Sequence, residues 1–372
     1  MIRAAVLEEP EKLTVRNFDE PAVENDTIIF RTLLTGICGT DIHLYAGHLN
    51  VQFPLIPGHE LVGVVEGIGR DAIDEMTVMG SKLREGDRVA LVPSSAPCGK
   101  CYQCLNHPHR TSLCGDRTVY GFRSCAEEPK LVGGFSEYMV VTPGSFLFKL
   151  PDNLDTELAT LIEPTAVALR VVERALAPGL PSIGEGLGIG GTALVVGTGP
   201  IGLLVIACLN HFGIHRTIAV DVNTARLGMA KELGAEIVDG SQLNREERLS
   251  RVLEMTEGAG ANYVFECAGV PQAFEEALDL ACRGGIVVEP GHFTDSGPAT
   301  IRPHLICNKD LDIRGVWAYP WFQFRDAISL LATTQVPLHP LITHRVKLNE
   351  VEDAMRDGFG GTMIKGVVDP WL

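Results

Sequence analysis

Cys98, Cys101 and Cys104 follow one another at three-residue intervals, and nine residues separate Cys114 from the last of them. Thiols at such short spacing suit a tetrahedral zinc ion, and four thiolates leave the metal no open position, so the expected role is structural. Cys114 is the first choice for the fourth ligand, with His107, His109 and Cys125 as alternatives. A second set is spread more widely. Cys38 sits in Gly36-Ile37-Cys38-Gly39-Thr40-Asp41-Ile42-His43, His59 and Glu60 in Gly58-His59-Glu60, and Glu163 precedes Pro164. Sulfur, nitrogen and oxygen donors that leave one position free are what a catalytic zinc needs. Taken one at a time, Cys38 reads as a small buried residue, His59 as a satisfied core histidine and Glu163 as an acid at a helix start. Their co-occurrence with the thiol cluster and with a nucleotide-type turn favours the metal.

That turn is Gly197-Thr198-Gly199-Pro200-Ile201-Gly202. It follows an apolar run at 193–196 and opens an apolar helical run at 201–212. Gly197 permits the tight bend, Gly199 lets the backbone approach a pyrophosphate, and Gly202 lets the helix pack on the strand. Pro200 and Ile201 start the helix, whose positive end faces the phosphates. Asp221, ending the next apolar run, is placed to accept ribose hydroxyls and to repel an added phosphate, which favours NAD over NADP. Arg226 is a candidate to flank the adenine, with a solvated helix residue as its plainer reading. Cys267 and Gly291 are further cofactor-lining candidates.

These residues need a scaffold, and the rest of the chain supplies its outline. Among 372 residues, 40 are glycine, above the usual ~7%, as expected for many tight turns. Before about residue 163, short strand-like runs such as 27–30 and 61–65 are broken by Gly and Pro, which indicates a β-rich domain. After it, apolar runs at 193–196, 217–221, 236–238, 263–267, 286–289 and 311–316 alternate with helical patterns at 201–212, 224–233, 246–255 and 271–282. Such alternation predicts βαβ units and a six-stranded parallel sheet, an α/β fold. A helix is expected from 164 to 176 and another at 322–331, followed by strand-like pieces that rejoin the first domain. Stretches 70–85 and 177–190 read as surface loops.

Composition narrows the function. The 31 basic and 47 acidic side chains give a formal charge of −16, which argues against nucleic acid and anionic membranes as partners. The uncharged stretch 186–212 is interrupted by Gly197, Gly199 and Pro200, so it reads as strand, turn and helix and not as a membrane span. The amino terminus lacks a basic region followed by a long apolar core, so the expected location is the cytoplasm, with the ten cysteines as thiols or metal ligands. A zinc-ribbon module for nucleic acid is the rival reading of the thiol cluster. The acidic balance and the long nucleotide-type chain around it argue against that.

In combination, GICGTDIH, GHELVGVVEGIGRDA, CGKCYQC, LIEPTAVAL, VVGTGPIG and Asp221 resemble the zinc-containing medium-chain dehydrogenase/reductase family, the group of alcohol, sorbitol and threonine dehydrogenases. The resemblance covers almost the whole chain. It implies a Rossmann domain with a doubly wound parallel six-stranded sheet at 164–315. It also implies a β-rich GroES-like catalytic domain from 1–163 and 316–372, with a structural zinc lobe near 98–114. By resemblance, Cys38, His59 and Glu163 bind a catalytic zinc, and Glu60 is a carboxylate able to replace water or a ligand as the metal moves. Thr40 and His43 match proton-relay positions, and Cys98, Cys101, Cys104 and Cys114 match the structural zinc. Two departures stand out: the gap between Cys104 and Cys114 is two residues longer than the common pattern, and the stretches before Gly86 and Gly191 are extended.

The activity so implied is hydride transfer between an alcohol and NAD with two zinc ions per chain, in a homodimer or homotetramer. Glu163 in place of the more usual cysteine favours a secondary alcohol or polyol. An NAD(P)H-dependent aldehyde or ketone reductase of the same fold is the alternative, and a non-enzymatic zinc- and nucleotide-binding protein is the remote one. Phe53, Phe122 and Trp317 are candidate pocket aromatics, with core packing as the competing reading; His48 and Tyr45 are candidates to touch a polar substrate.

Overall fold

The computed structural model describes residues 1–80, 82–176, 190–358 and 363–372. Apart from Gly190, the expected loop at 177–190 lies outside the described residues. The chain divides into two compact units. The first comprises Met1–Glu163, Tyr319–Thr333 and Leu338–Leu372, the second Pro164–Ala318 and Thr334–Pro337.

The first unit is built on a sheet in which Ile28–Ile37 pairs antiparallel with Glu60–Ile68, Tyr138–Val141 and Lys365–Val368. Arg88–Leu91, Phe146–Lys149 and Thr77–Met79 continue it past Glu60–Ile68, and Ile342–Val346 flanks Lys365–Val368. Side chains alternate across a strand. Accordingly, Ile28 and Phe30 enter one core with Val65, Leu91, Met139 and Leu147, while Ile29 and Ile37 enter another with Leu7, Ile56, Phe135 and Val368. Each such fully buried side chain contributes about 1.5–3 kcal/mol. The segment 70–85 departs from the expected surface loop. Ala72, Met76 and Leu83 are buried in the Phe30 core, and Thr77–Met79 pairs in parallel with Phe146–Lys149. The charged residues between those apolar positions conceal their burial in the sequence.

The second unit is a parallel sheet in the order Glu236–Asp239, Arg216–Asp221, Thr192–Val196, Ala261–Glu266, Ala281–Glu289, Asp312–Gly315. Numbered along the chain this is 3-2-1-4-5-6, the doubly wound dinucleotide-binding order, whose switch point falls between Thr192–Val196 and Ala261–Glu266. Helices Pro200–His211, Thr224–Glu232, Arg245–Met255 and Pro271–Leu280 connect its strands. Ala281–Glu289 begins earlier than its apolar run because Arg283, Gly284 and Gly285 interrupt the pattern, and the register shifts beside them. The short helix Pro303–Lys309 has no counterpart in the sequence pattern; a Pro start and no buried residue leave it no apolar stripe. Among the described residues no helix is long and apolar enough to cross a membrane.

Candidate active site and metal centres

In the first unit, strand Ile28–Ile37 hands the chain to Cys38, which caps helix Gly39–Tyr45. Asp41 in the first turn is fully buried and clasps two segments. Its Oδ2 accepts the Cys38 N–H at 2.9 Å, and its Oδ1 accepts the Gly58 N–H at 3.2 Å. The same Oδ1 lies 3.4 Å from His59 Nδ1, a buried nitrogen with no well-formed hydrogen bond of its own. A carboxylate behind a histidine in this way orients the ring and fixes which nitrogen faces outward. Burial works against the His59 imidazolium, but Asp41 and Cys38 outweigh it and hold the group well above its ordinary range.

Sheet register brings in Glu60. It stands opposite Gly36, and Gly366 of the next strand stands opposite Ile37. A Cβ at Gly36 would occupy the space of the Glu60 carboxylate, so glycine is required there. Lys365, 2% exposed, donates to Glu60 and, at 2.9 Å, to the Ile37 carbonyl oxygen. Burial opposes its charge, yet Glu60 and Cys38 keep the ammonium above its usual range. Donor atoms of Cys38, His59 and Glu60 all lie within 4.8 Å of one another. Glu163 is not in that trio. It sits in the first turn of helix Ile162–Leu176, and its Oε1 accepts the Tyr319 hydroxyl at 2.7 Å. Burial pushes its carboxyl up to about 7, with His59 pulling it down and Glu60 adding to the rise. A half-buried thiol, an imidazole lacking a full partner and a crowded pair of carboxyls form an electronegative donor set, which fits a divalent cation.

Around these donors, the Cys38 thiol donates to Thr40 Oγ1 at 3.6 Å. His43 Nδ1 and His48 Nδ1 lie 3.0 Å apart, and burial followed by His48 lowers the His43 pKa. Tyr45 is buried, with its hydroxyl donating to the Glu11 carbonyl oxygen at 3.2 Å. Phe122 meets His59 edge-on at 5.7 Å, Phe53 packs on the core, and Trp317 stacks on Phe293 within the second unit.

The four thiols of the lobe also converge. Cys98, Cys101, Cys104 and Cys114 place their sulfurs within 4.8 Å of one another, and His107, His109 and Cys125 are outside the group. Cys101 caps helix Tyr102–Asn106, and Cys114 follows the 3-10 turn Thr111–Leu113, which takes up part of the long gap. The Cys98 N–H donates to Cys114 Sγ at 3.3 Å. Burial opposes ionisation of Cys114, but the N–H groups of Cys98 and Asp116 bring its thiol down to about 7. Burial and Cys101 push Cys104 up to about 12, as expected where neighbouring thiols cannot all ionise without a cation. Four soft donors in this arrangement fit tetrahedral zinc.

In the second unit the glycine turn crosses from strand Thr192–Val196 to helix Pro200–His211. Gly197 has φ +89°, and a Cβ there would meet the Ala268 backbone at 2.6 Å. Gly199 caps the helix with open space where a Cβ would be, room for a close ligand. A Cβ at Gly202 would strike the Gly197 carbonyl oxygen. Pro200 and Ile201 form the first helical positions. Asp221 accepts the Thr198 N–H and, at 2.8 Å, the Thr198 hydroxyl, tying the turn to the next strand. Arg226 lies in the first turn of helix Thr224–Glu232, whose cap Asn223 accepts its N–H. The Cys267 N–H donates to the Val196 carbonyl oxygen at 2.7 Å across the switch point. A Cβ at Gly291 would strike Glu266. Sequence reasoning did not single out Asp41, Lys365, Tyr319 or Glu266. Asp41 alone carried a local signal, its place three residues after a helix cap.

Residues 24–152 match the model of the alcohol dehydrogenase GroES-like domain, and residues 200–333 that of the zinc-binding dehydrogenase. An L-threonine 3-dehydrogenase of Enterobacter sp. (strain 638) is 31% identical over 366 residues, spanning 96% of this chain and 97% of its own. The sorbitol dehydrogenase of Bacillus subtilis (strain 168) is 29% identical over 359 residues, spanning 95% and 92%. Among solved structures, a proposed zinc-binding dehydrogenase of Sinorhizobium meliloti 1021 bound to NADP superposes with a TM-score of 0.85 at 28% identity, covering 100% of this chain and 99% of that one. The resemblance written in GICGTDIH, CGKCYQC and VVGTGPIG is thereby shown, and the chain belongs to the zinc-containing medium-chain dehydrogenase/reductase family.

Proposed function

We propose that this chain oxidises the hydroxyl of a secondary alcohol or polyol with NAD, using one catalytic and one structural zinc. The observation that carries the reading is the convergence of Cys38 with the buried His59 and Glu60 behind the Asp41 clasp. When bound, zinc supplies Lewis acidity that lowers a hydroxyl pKa, and the nicotinamide supplies the hydride acceptor. Cys38, His59 and Glu163 are the ligands of choice, with Tyr319 orienting Glu163 and Asp41 orienting His59. Lys365 holds Glu60 beside the site as an exchangeable carboxylate. Thr40 takes the substrate proton at its hydroxyl oxygen and passes it toward His43. The low pKa of His43 and its contact with His48 suit a group that returns the proton to solvent. Cys98, Cys101, Cys104 and Cys114 hold the structural ion. The glycine turn receives the pyrophosphate and Asp221 the ribose. A cytoplasmic homodimer or homotetramer is the setting we infer.

The substrate class rests on the carboxylate at position 163 and on the sorbitol named for a relative. The second reading, use of NADP(H) in carbonyl reduction, is favoured by the NADP in the Sinorhizobium structure. Both are tested by following the reduced-nicotinamide absorbance of zinc-replete protein with primary alcohols, secondary alcohols, diols and sugar alcohols, each with NAD and NADP. We expect turnover with NAD, and Asp221→Ala to shift the NAD/NADP ratio of kcat/KM toward NADP by at least about tenfold, or 1.4 kcal/mol. Equal use of the two cofactors by the parent, or an unchanged ratio in the variant, would overturn the role of Asp221. Two zinc ions with carbonyl reduction alone would establish the second reading.

A further inference from the structure

Glu266 and Glu289 end the two neighbouring strands Ala261–Glu266 and Ala281–Glu289, and His292 follows three residues after the second. The three side chains bring their donor atoms within 4.8 Å of one another. Glu266 is wholly buried. Its Oε1 accepts N–H groups from Ala268 at 2.8 Å and Gly269 at 2.9 Å, which fixes the carboxylate in place. Its Oε2 and the buried Oε2 of Glu289 have no N–H or hydroxyl donor, and the two carboxyls lie close enough to share a proton. Two buried carboxylate oxygens without donors are costly unless something positive lies between them.

The basic group at this point is His292, whose Nδ1 is 3.0 Å from Glu289 Oε1 and 3.5 Å from Glu266 Oε2. An ion with bonds of about 2.1 Å sets adjacent ligands roughly 3.0–3.4 Å apart, so an ion fits where His292 and Glu289 now share a hydrogen bond. Gly291 belongs to the arrangement, because a Cβ there would displace the Glu266 carboxylate. His292 is 24% exposed and supplies the route from solvent.

From these contacts we infer that Glu266, Glu289 and His292 form a binding site for a first-row divalent cation, separate from both zinc centres. The donor set of two carboxylates and one imidazole is harder than the thiolate sites and suits manganese(II) as well as zinc. Coordination uses the His292 Nδ1 lone pair, so the neutral ring carries its proton on Nε2 when the ion is bound. The ion then joins the loop after strand Ala261–Glu266 to the loop after strand Ala281–Glu289, at the carboxyl edge of the sheet.

The test titrates the full chain, loaded with two equivalents of zinc and no more, with manganese(II) chloride, reading free manganese by its electron paramagnetic resonance spectrum. One further equivalent should bind, and Glu289→Gln and His292→Ala should each weaken it by more than about tenfold. His292→Ala alters a partly exposed side chain, so it carries the test should Glu289→Gln fail to fold. Absence of manganese binding, together with no third metal by elemental analysis after separate loading with excess zinc, would mean that the carboxylates share a proton only. Undiminished binding in His292→Ala would place the ion elsewhere. Either result overturns the proposal.

Discussion

Glu163 shows how burial and a neighbouring charge set the behaviour of a single residue. In the metal-free chain its carboxyl sits at about 7 because it is buried and faces Glu60, against a reference value of 4.5. Between those values the folded chain holds a proton that the unfolded chain has released. Stability must therefore fall as pH rises across that window, by about 3 kcal/mol in all. His59 acts in a different range: its raised pKa withdraws stability only above the ordinary histidine value. Glu266 and Glu289, also raised by burial, add to the decline over the same range, so denaturant unfolding of chelated protein from pH 4.5 to 7 should show a fall that Glu163→Gln lessens but does not abolish. Calorimetry at pH 6 in buffers of different ionisation enthalpy should show zinc uptake releasing one proton more from the parent than from the variant. Identical slopes and identical proton release would mean that Glu163 is ionised before metal arrives.

At the scale of elements, the thiol lobe and the sheets are stabilised by different means. Helix Tyr102–Asn106 buries none of its five residues, and Tyr102 and Leu105 are 70% and 68% exposed. With so little apolar burial, the segment should depend on the structural zinc we propose for its order, as small zinc modules do. Cys104→Ser should therefore make residues 98–114 cleave at least about tenfold faster in limited proteolysis, with the far-ultraviolet spectrum of the sheets unchanged. Equal cleavage of parent and variant would show that the lobe is held by its own contacts. The lobe thiols and the glycine turn were readable in the sequence because their chemistry needs near neighbours at set spacing. The central parallel strands were readable because burial on both faces makes them continuous apolar runs. Lys365 was not, since its meeting with Glu60 depends on strand pairing across 305 positions. Nor was Tyr319, which reaches Glu163 from 156 positions away. Residues 70–85 misled for a related reason: composition reports the charges on a segment and not which of its few apolar side chains turn inward.

At the scale of the whole molecule, each compact unit carries its own candidate ligands, the donors for the two proposed zinc ions in Met1–Glu163 and the glycine turn and Asp221 in Pro164–Ala318. A net charge of −16 leaves the dinucleotide's phosphates to be drawn by local backbone N–H groups at the turn and not by the overall field. A ligand that binds only the native state stabilises what it binds by RT ln(1 + [L]/Kd), about 2.7 kcal/mol at a hundredfold excess over Kd. Hydrogen exchange can show where that free energy is deposited. With NAD at such an excess, helix Pro200–His211 and the strands flanking the switch point should gain protection. Chelating zinc should remove protection from Gly39–Tyr45 and from residues 98–114 instead. Changes confined in this way would mean that cofactor and metal each stabilise one unit. Equal changes in both units under either treatment would mean that they unfold as one cooperative body, and that zinc loss weakens the cofactor site as much as its own.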